Sequence, residues 1–131
     1  MSDSTKKQAR ELELDAVSYS KIGHHSKAES TIKKALELKP RSNHLNHELA
    51  KIHLRSKQYE KALEILLTLS NKTKNREILF KDIGLSYFGM GKLEKALEAL
   101  DVSLSEKQDY VEALVLKGKS LRELERYDEA L

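Results

Sequence analysis

Histidine is the residue type in this sequence whose spacing comes nearest to a chemical site. All five histidines lie between His24 and His53, and His44 and His47 stand three positions apart. On a helix this spacing puts two imidazoles on one face, where they could begin a zinc or copper site. A third ligand is not evident, because Glu48 points roughly a quarter-turn away. We therefore expect surface histidines and no metal site.

Catalytic signatures are missing from the sequence. It contains no nucleophile elbow, phosphate-binding loop, zinc-protease helix or dinucleotide fingerprint, and no cysteine. Acid pairs such as Glu11 with Glu13 fall on exposed helix surfaces, where they promote solubility and pair with nearby bases. We expect no enzyme activity, no catalytic residue and no cofactor.

The composition favours a helical protein whose helices each have one solvent-exposed, charged face. Apolar residues make up 39% of the 131 residues and charged residues 34%, with one proline and five glycines. The net charge of +3 is too small to indicate a nucleic-acid partner by itself. The polar start of the chain and the absence of a long apolar run predict neither a secretory signal nor a membrane span. Together with the absence of cysteine, this leads us to expect a cytoplasmic protein.

Small residues recur with a fixed period of 34 positions. One series comprises Ala28, Ala62, Ala96 and Ala130, and a second, twelve positions earlier, comprises Ala16, Ala50, Gly84 and Gly118. A period of this length is typical of stacked copies of one supersecondary unit. Function then depends on what the stacked surface binds rather than on a catalytic pocket.

Each period reads as two helices joined by a tight turn. In the third, Phe80, Ile83, Gly84 and Tyr87 follow helical spacing, and a second apolar stripe begins after residues 89–91. Comparable turns are expected at residues 23–25, 56–58 and 125–126. We divide the chain into a flexible lead, 1–8, three repeats, 9–42, 43–76 and 77–110, and a truncated fourth, 111–131.

Two local features follow from this division. Ser42 is expected to cap the helix after Pro40, and Asn75 and Asp109 to cap the helices that follow them. Glycine in mid-helix costs roughly 1 kcal/mol against alanine, so Gly84 and Gly118 are expected where a neighbouring helix presses close.

These residues resemble the tetratricopeptide repeat (TPR) family, whose helix-turn-helix unit has 34 residues. The third repeat matches the family pattern at Phe80, Ile83, Gly84, Tyr87, Ala96 and Leu100, and the first at Leu12, Ala16, Tyr19, Ala28, Ile32, Ala35 and Pro40. The second repeat is the least typical: Asn46 stands at a large apolar position and His53 at a tyrosine position. The resemblance implies an all-α, right-handed superhelical solenoid of about three and a half hairpins.

The resemblance also implies a binding surface on the first helix of each hairpin, which lines the concave side. On this basis, the residues predicted to contact a partner are His44, His47, Lys51, Leu54, Arg55, Ile78, Lys81, Leu85, Phe88, Lys119 and Arg122. Their mixture of bases and apolar side chains predicts a protein or peptide partner with acidic and apolar groups, held by a non-enzymatic scaffold. Two alternatives stay open: Phe88 packs on its own hairpin, and the bases form a solvated helix face.

One TPR subfamily binds the C-terminal carboxylate of heat-shock chaperones through five clamp positions. Counted from the first repeat, these positions hold Glu13, Val17, Glu48, Ile78 and Asp82; counted from the second, His47, Lys51, Asp82, Glu112 and Leu116. Acidic side chains would repel a carboxylate, so we do not expect this mode of binding.

Two further functions compete with peptide capture. RNA binding is one alternative, although it is disfavoured by the acids interspersed among the bases and by the presence of one aromatic residue for stacking. Self-association through the C-terminal end is the other alternative. Tyr127, Ala130 and Leu131 begin the apolar stripe of a helix that the sequence does not continue, so the preceding helix would lack part of its apolar cover. We expect the sequence to be a fragment of a longer array.

Overall fold

Helical spacing in the sequence is realised as seven helices. The computed structural model describes residues 2–130, which form no strand. The helices are α1 Asp3–Lys21, α2 His25–Leu38, α3 Asn43–Arg55, α4 Tyr59–Thr68, α5 Arg76–Gly89, α6 Leu93–Glu106 and α7 Val111–Ala130. Within the described residues, no helix is long and apolar enough to cross a membrane.

Three of the turns between helices contain a residue with left-handed backbone, and these residues are one period apart. The φ angle is 89° at Gly23, 62° at Lys57 and 77° at Gly91. A left-handed residue ends a helix and reverses the chain, which glycine does at no steric cost. The predicted turns at 23–25, 56–58 and 89–91 are therefore confirmed.

The turn predicted at residues 125–126 is wrong. α7 runs without interruption from Val111 to Ala130. Glu125 lies one period after Gly91, but it keeps the right-handed backbone of α7, and no glycine or proline lies nearby to interrupt the helix.

Residues 3–8, which the sequence analysis assigned to a flexible lead, belong to α1 in the structure. α1 begins at Asp3, with the Ser2 hydroxyl accepting a hydrogen bond from the Thr5 amide at 3.1 Å. This cap and the acidic first turn stabilise a helix start that the polar composition concealed.

The two caps that can be compared differ in outcome. The Ser42 hydroxyl accepts from the Leu45 amide at 3.1 Å, so the predicted cap of α3 is confirmed. Asn75 holds the N-cap position of α5, but its side chain makes no capping hydrogen bond. Its backbone N–H donates to the Thr73 hydroxyl at 3.3 Å.

The chain divides into two compact units, Met1–Ile65 and Leu66–Leu131. In the first unit, α1 packs on α2, α2 packs on α3, and α1 also contacts α3. Its core consists of Ala16, Ala28, Ile32, Ala35, Leu45, Leu49 and Ile52. His53, standing at a tyrosine position, is 4% exposed, and its Nδ1 lies 2.9 Å from Gln58 Oε1.

In the second unit, α5 packs on α6, α6 packs on α7, and α5 also contacts α7. Leu100, Ala113 and Leu116 form a buried cluster there. A Cβ added to Gly84 would lie 2.8 Å from both Cγ and Cδ2 of Leu100, so the predicted close crossing at Gly84 is confirmed.

The periodic small residues are buried wherever a second helix covers them. Ala16, Ala28, Ala50, Ala62 and Ala96 are fully buried. Gly118 departs from the expectation, because nothing in the described structure lies within 4 Å of a Cβ placed on it. α7 does not turn back at residue 125, so no described helix packs on this face. The side chain of Ala130, and Leu131 as a whole, lie outside what the structure describes.

Candidate functional site

Three of the seven basic residues predicted on the binding surface are paired with an acid of the same unit. On α3, His44 Nε2 lies 2.6 Å from Glu13 Oε2 of α1. Two helical turns further along α3, Lys51 Nζ lies 3.4 Å from Glu48 Oε1. Much of the positive charge expected from these bases is therefore offset within the first unit.

A tighter pair occurs in the second unit. Lys81 Nζ donates to Asp82 Oδ1 at 2.7 Å, and the Asp82 side chain is 3% exposed. A buried carboxylate without a cation would be strongly unfavourable. Lys81 therefore stabilises the fold whatever else it contacts.

The other bases of the predicted surface are more open. Arg55 is exposed and donates to the Ser20 hydroxyl at 3.3 Å, while His47 is half-buried. On α7, Lys119 and Arg122 are exposed, and neither has an acidic partner among the side chains of residues 2–128. Arg55, Lys119 and Arg122 are thus the predicted contacts that present free positive charge.

The apolar members of the predicted set divide between core and surface. Leu54 is 8% exposed and offers little area to a partner. Leu85 and Phe88 are partly buried and pack against the cluster that contains Leu116 of α7. Phe88 and Ile78 are both half-buried and lie on α5, and which of the two alternatives describes Phe88 stays a prediction.

The residues of the predicted set are divided between the two compact units. His44, His47, Lys51, Leu54 and Arg55 belong to the first unit; Ile78, Lys81, Leu85, Phe88, Lys119 and Arg122 belong to the second. That both groups contribute to one binding surface stays a prediction.

The potential metal ligands that lie close together differ from the pair of histidines that the sequence suggested. Glu13, His44 and Glu48 each place one ligand atom within 4.8 Å of the other two, and His47 is not among them. Such nitrogen and oxygen atoms are of the type that binds zinc. Here, however, they already have partners, since His44 is bonded to Glu13 and Glu48 to Lys51. Whether these atoms bind a metal is untested, and the expectation of no metal site stays a prediction.

Two side chains of the structure have shifted pKa values, Glu29 in the first unit and Tyr110 in the second. A hydrogen bond from Lys33 lowers the pKa of Glu29, against a smaller opposing effect of burial. Burial, followed by a hydrogen bond with Glu112, raises the pKa of Tyr110, which stays protonated at neutral pH.

Sequence reasoning missed one group of cations at the start of α1. A cavity of about 320 Å³ is lined by Lys6, Arg10 and Lys39, together with Glu13 and His44. Lys6 was assigned to the flexible lead, so its place on a helix face was not considered. Helix formation from Ser2 onward was the signal that could have revealed it.

Comparisons with known proteins agree with this architecture. Two tetratricopeptide repeat models match, one over residues 23–81 and one over residues 81–131. The chain belongs to the tetratricopeptide repeat family. The all-α TPR helical-solenoid fold expected from the repeat pattern is thereby confirmed. No curated protein matches the sequence.

Solved TPR domains share the fold at low sequence identity. The first TPR domain of human RPAP3 is 19% identical with a TM-score of 0.82, covering 95% of this chain and 98% of that one. The first TPR of Spaghetti (RPAP3), bound to the HSP90 peptide SRMEEVD, is 20% identical with a TM-score of 0.79, covering 90% and 94%. The Sgt2 TPR domain of Aspergillus fumigatus is 19% identical with a TM-score of 0.80, covering 92% and 82%.

Proposed function

We propose that this chain is a non-enzymatic protein-interaction scaffold that binds a peptide segment or partner protein through the first helices of its hairpins. The observation that carries the proposal is the likeness, over at least nine-tenths of the chain, to TPR domains that include one with a bound peptide. A cytoplasmic location is part of the same proposal.

The exposed side chains of these helices are basic and apolar, and such side chains would bind a ligand that carries acidic and apolar groups. In the second unit, Lys119 and Arg122 lie on α7, which also carries Val115 at 51% exposure. In the first unit, Arg55 presents a guanidinium, the side chain best suited to bidentate pairing with a carboxylate. Exposed apolar area beside free cations fits a partner held by burial and oriented by charge.

The mode of binding is proposed to differ from that of the chaperone-tail clamp. Glu13, Glu48 and Asp82 occupy clamp positions, and each acid is held by a base of its own unit. A terminal carboxylate would have to displace these pairs while facing the acids themselves.

The internal pairing also disfavours the RNA alternative. Phosphate backbones are bound by unpaired bases, and the pairing of Lys51 and Lys81 with carboxylates leaves only Arg55, Lys119 and Arg122 of the lysines and arginines in the predicted set for that role. Filter binding at low salt tests this directly, and a salt-dependent RNA complex that requires Arg55 and Arg122 would replace the peptide proposal.

Self-association through α7 is the second candidate, carried by one observation. Leu114 and Leu121 are 47% and 45% exposed on either side of the open Gly118. Such a face favours association with a second copy at high concentration. Light scattering that shows a monomer at millimolar concentration would reject this candidate.

Affinity capture from native lysate tests the main proposal. The test variant is Arg55→Glu with Arg122→Glu, and the matched control is Lys34→Glu with Lys92→Glu. Lys34 and Lys92 are exposed and lie outside the predicted set, and both variants change the net charge equally. We expect the test variant to lose partners that the control retains. Identical partner lists for the two baits would defeat the assignment of the binding surface.

A further inference from the structure

Three cations of the first unit have no acid to neutralise them. Lys6 and Arg10 lie one turn apart on α1, and Lys39 follows the end of α2. Within residues 2–130, none of the three comes within 4.0 Å of a carboxylate oxygen. They contrast with Lys51, which is paired with Glu48.

All three cations line one cavity of about 320 Å³. Its lining also includes the apolar residues Ala9 and Leu45, which are both buried. Since one water occupies about 30 Å³ in the liquid, the cavity is large enough for a charged group and part of the chain that carries it.

Two further features decide which charge the cavity favours. Its three cations outnumber Glu13, the one acid among the lining residues, whose Oε2 lies 2.6 Å from His44 Nε2. In addition, His44 is the second residue of α3, whose 13-residue helix begins at the cavity. The positive end of the helix dipole adds to the field of the three cations.

The arrangement of the cations indicates the geometry of the anion. They reach the cavity from α1 and from the segment after α2, so they approach from different directions. A carboxylate is planar and is satisfied by one guanidinium fork. A phosphoryl group carries a charge of about −1.5 to −2 and has three acceptor oxygens, which donors can reach from several sides.

We propose that this cavity binds a phosphorylated serine or threonine side chain of a partner peptide. The inference rests on the proposed function, because it names the anchoring group of the same kind of peptide partner. A nucleic-acid phosphate fits less well, since no aromatic side chain lines the cavity to stack a base.

Fluorescence anisotropy with defined peptides tests the proposal. The probe is a labelled nonapeptide of alanine and leucine with one central phosphoserine. The comparison probes are the same peptide with serine, the same peptide with glutamate, and a single-stranded RNA of nine nucleotides. At physiological salt we expect the phosphopeptide to bind at least about tenfold more tightly than each of the three.

Charge reversal on α1 locates the site. Lys6→Glu with Arg10→Glu removes two cations of the cavity, whereas Lys7→Glu with Lys21→Glu changes the net charge equally at exposed positions that do not line it. We expect the first pair to abolish the preference for phosphoserine and the second to keep affinity within about threefold. If circular dichroism shows that the first pair disturbs the fold, Lys39→Gln provides the same test from outside α1.

Several outcomes would overturn the proposal. They are equal affinity for the glutamate or RNA probe, equal loss in the two charge-reversed pairs, and no binding of the phosphopeptide. If the phosphopeptide fails while Arg55→Glu with Arg122→Glu still abolishes partner capture, the phosphate site alone is wrong. If the cavity binds the phosphopeptide but that variant captures every partner, the proposed contact surface alone is wrong.

Discussion

Gly84 and Gly118 stand one period apart, but replacing each of them with alanine should change the stability of the fold differently. At both, replacing glycine by alanine inside a helix gains about 1 kcal/mol, because alanine restricts the unfolded chain. At Gly118 nothing in the described structure opposes that gain, because the position of an added Cβ is open. We expect Gly118→Ala to stabilise the second unit by about 1 kcal/mol.

At Gly84 the same gain is opposed by overpacking. The added Cβ would lie 2.8 Å from Cγ and Cδ2 of Leu100, whereas carbon atoms in favourable contact are about 3.5–4.0 Å apart. Leu100 is fully buried, and Cγ is a branch point rather than a free end, so the side chain cannot simply move away. Overpacking of this kind costs about 1–3 kcal/mol, so we expect Gly84→Ala to be neutral or up to about 2 kcal/mol destabilising.

The assay is urea unfolding followed by helical circular dichroism, with the slope against urea compared between variants. Both glycines lie in the second unit, so the comparison does not depend on how strongly the two units are coupled. We expect the variants to differ by about 1–3 kcal/mol, or roughly 3–9 °C in Tm for a chain of this size. In a Leu100→Ala background, Gly84→Ala should become stabilising, because its contact is gone. If Gly84→Ala stabilises the wild-type background as much as Gly118→Ala does, the packing argument is refuted.

Two other predictions concern the first unit. Lys57 holds a φ of 62° with a side chain that disfavours it, so Lys57→Gly should raise the unfolding free energy by about 1 kcal/mol, while Lys61→Gly, within α4, should lower it by a similar amount. A chemical melt in which Lys57→Gly is less stable than wild type would contradict the left-handed turn. Because the pKa of Glu29 is lowered from 4.5, the stability it contributes is present above that pH and is lost as the pH falls through the folded-state pKa. Urea midpoints should therefore separate wild type from Glu29→Gln at pH 6 and converge toward pH 3, and a constant separation would exclude this linkage.

The repeat unit could be predicted from the sequence because its determinants are local and periodic. Helical spacing gave the hairpins, and small residues at intervals of 34 located the crossings. The repeat pattern did not predict that no helix packs close to Gly118, because it assumes that every repeat is complete. It also did not predict the helix start at Ser2, because this cap lies outside the periodic positions. The repeat pattern also predicted a turn at Glu125, where α7 continues as a helix, because a position in the period does not by itself interrupt a helix.

The candidate site was less accessible to sequence reasoning. Ion pairs such as Glu13 with His44 join residues 31 positions apart, and they depend on how two helices lie against each other. Position in a repeat identifies which side chains belong to a helix face, but it does not reveal which of them are already neutralised. For this reason, the cations at Lys6 and Lys39 emerge only from the structure.

The contact between Lys81 and buried Asp82 affects how mutational data on this protein should be interpreted. An alanine scan could report reduced binding at Lys81 even if no ligand ever touched it, because the substitution removes a cation that pairs with a buried carboxylate. Removing both members together, with Asp82→Asn beside Lys81→Met, keeps the interior uncharged. Only in that background does the effect of residue 81 on an interaction become separable from its effect on folding.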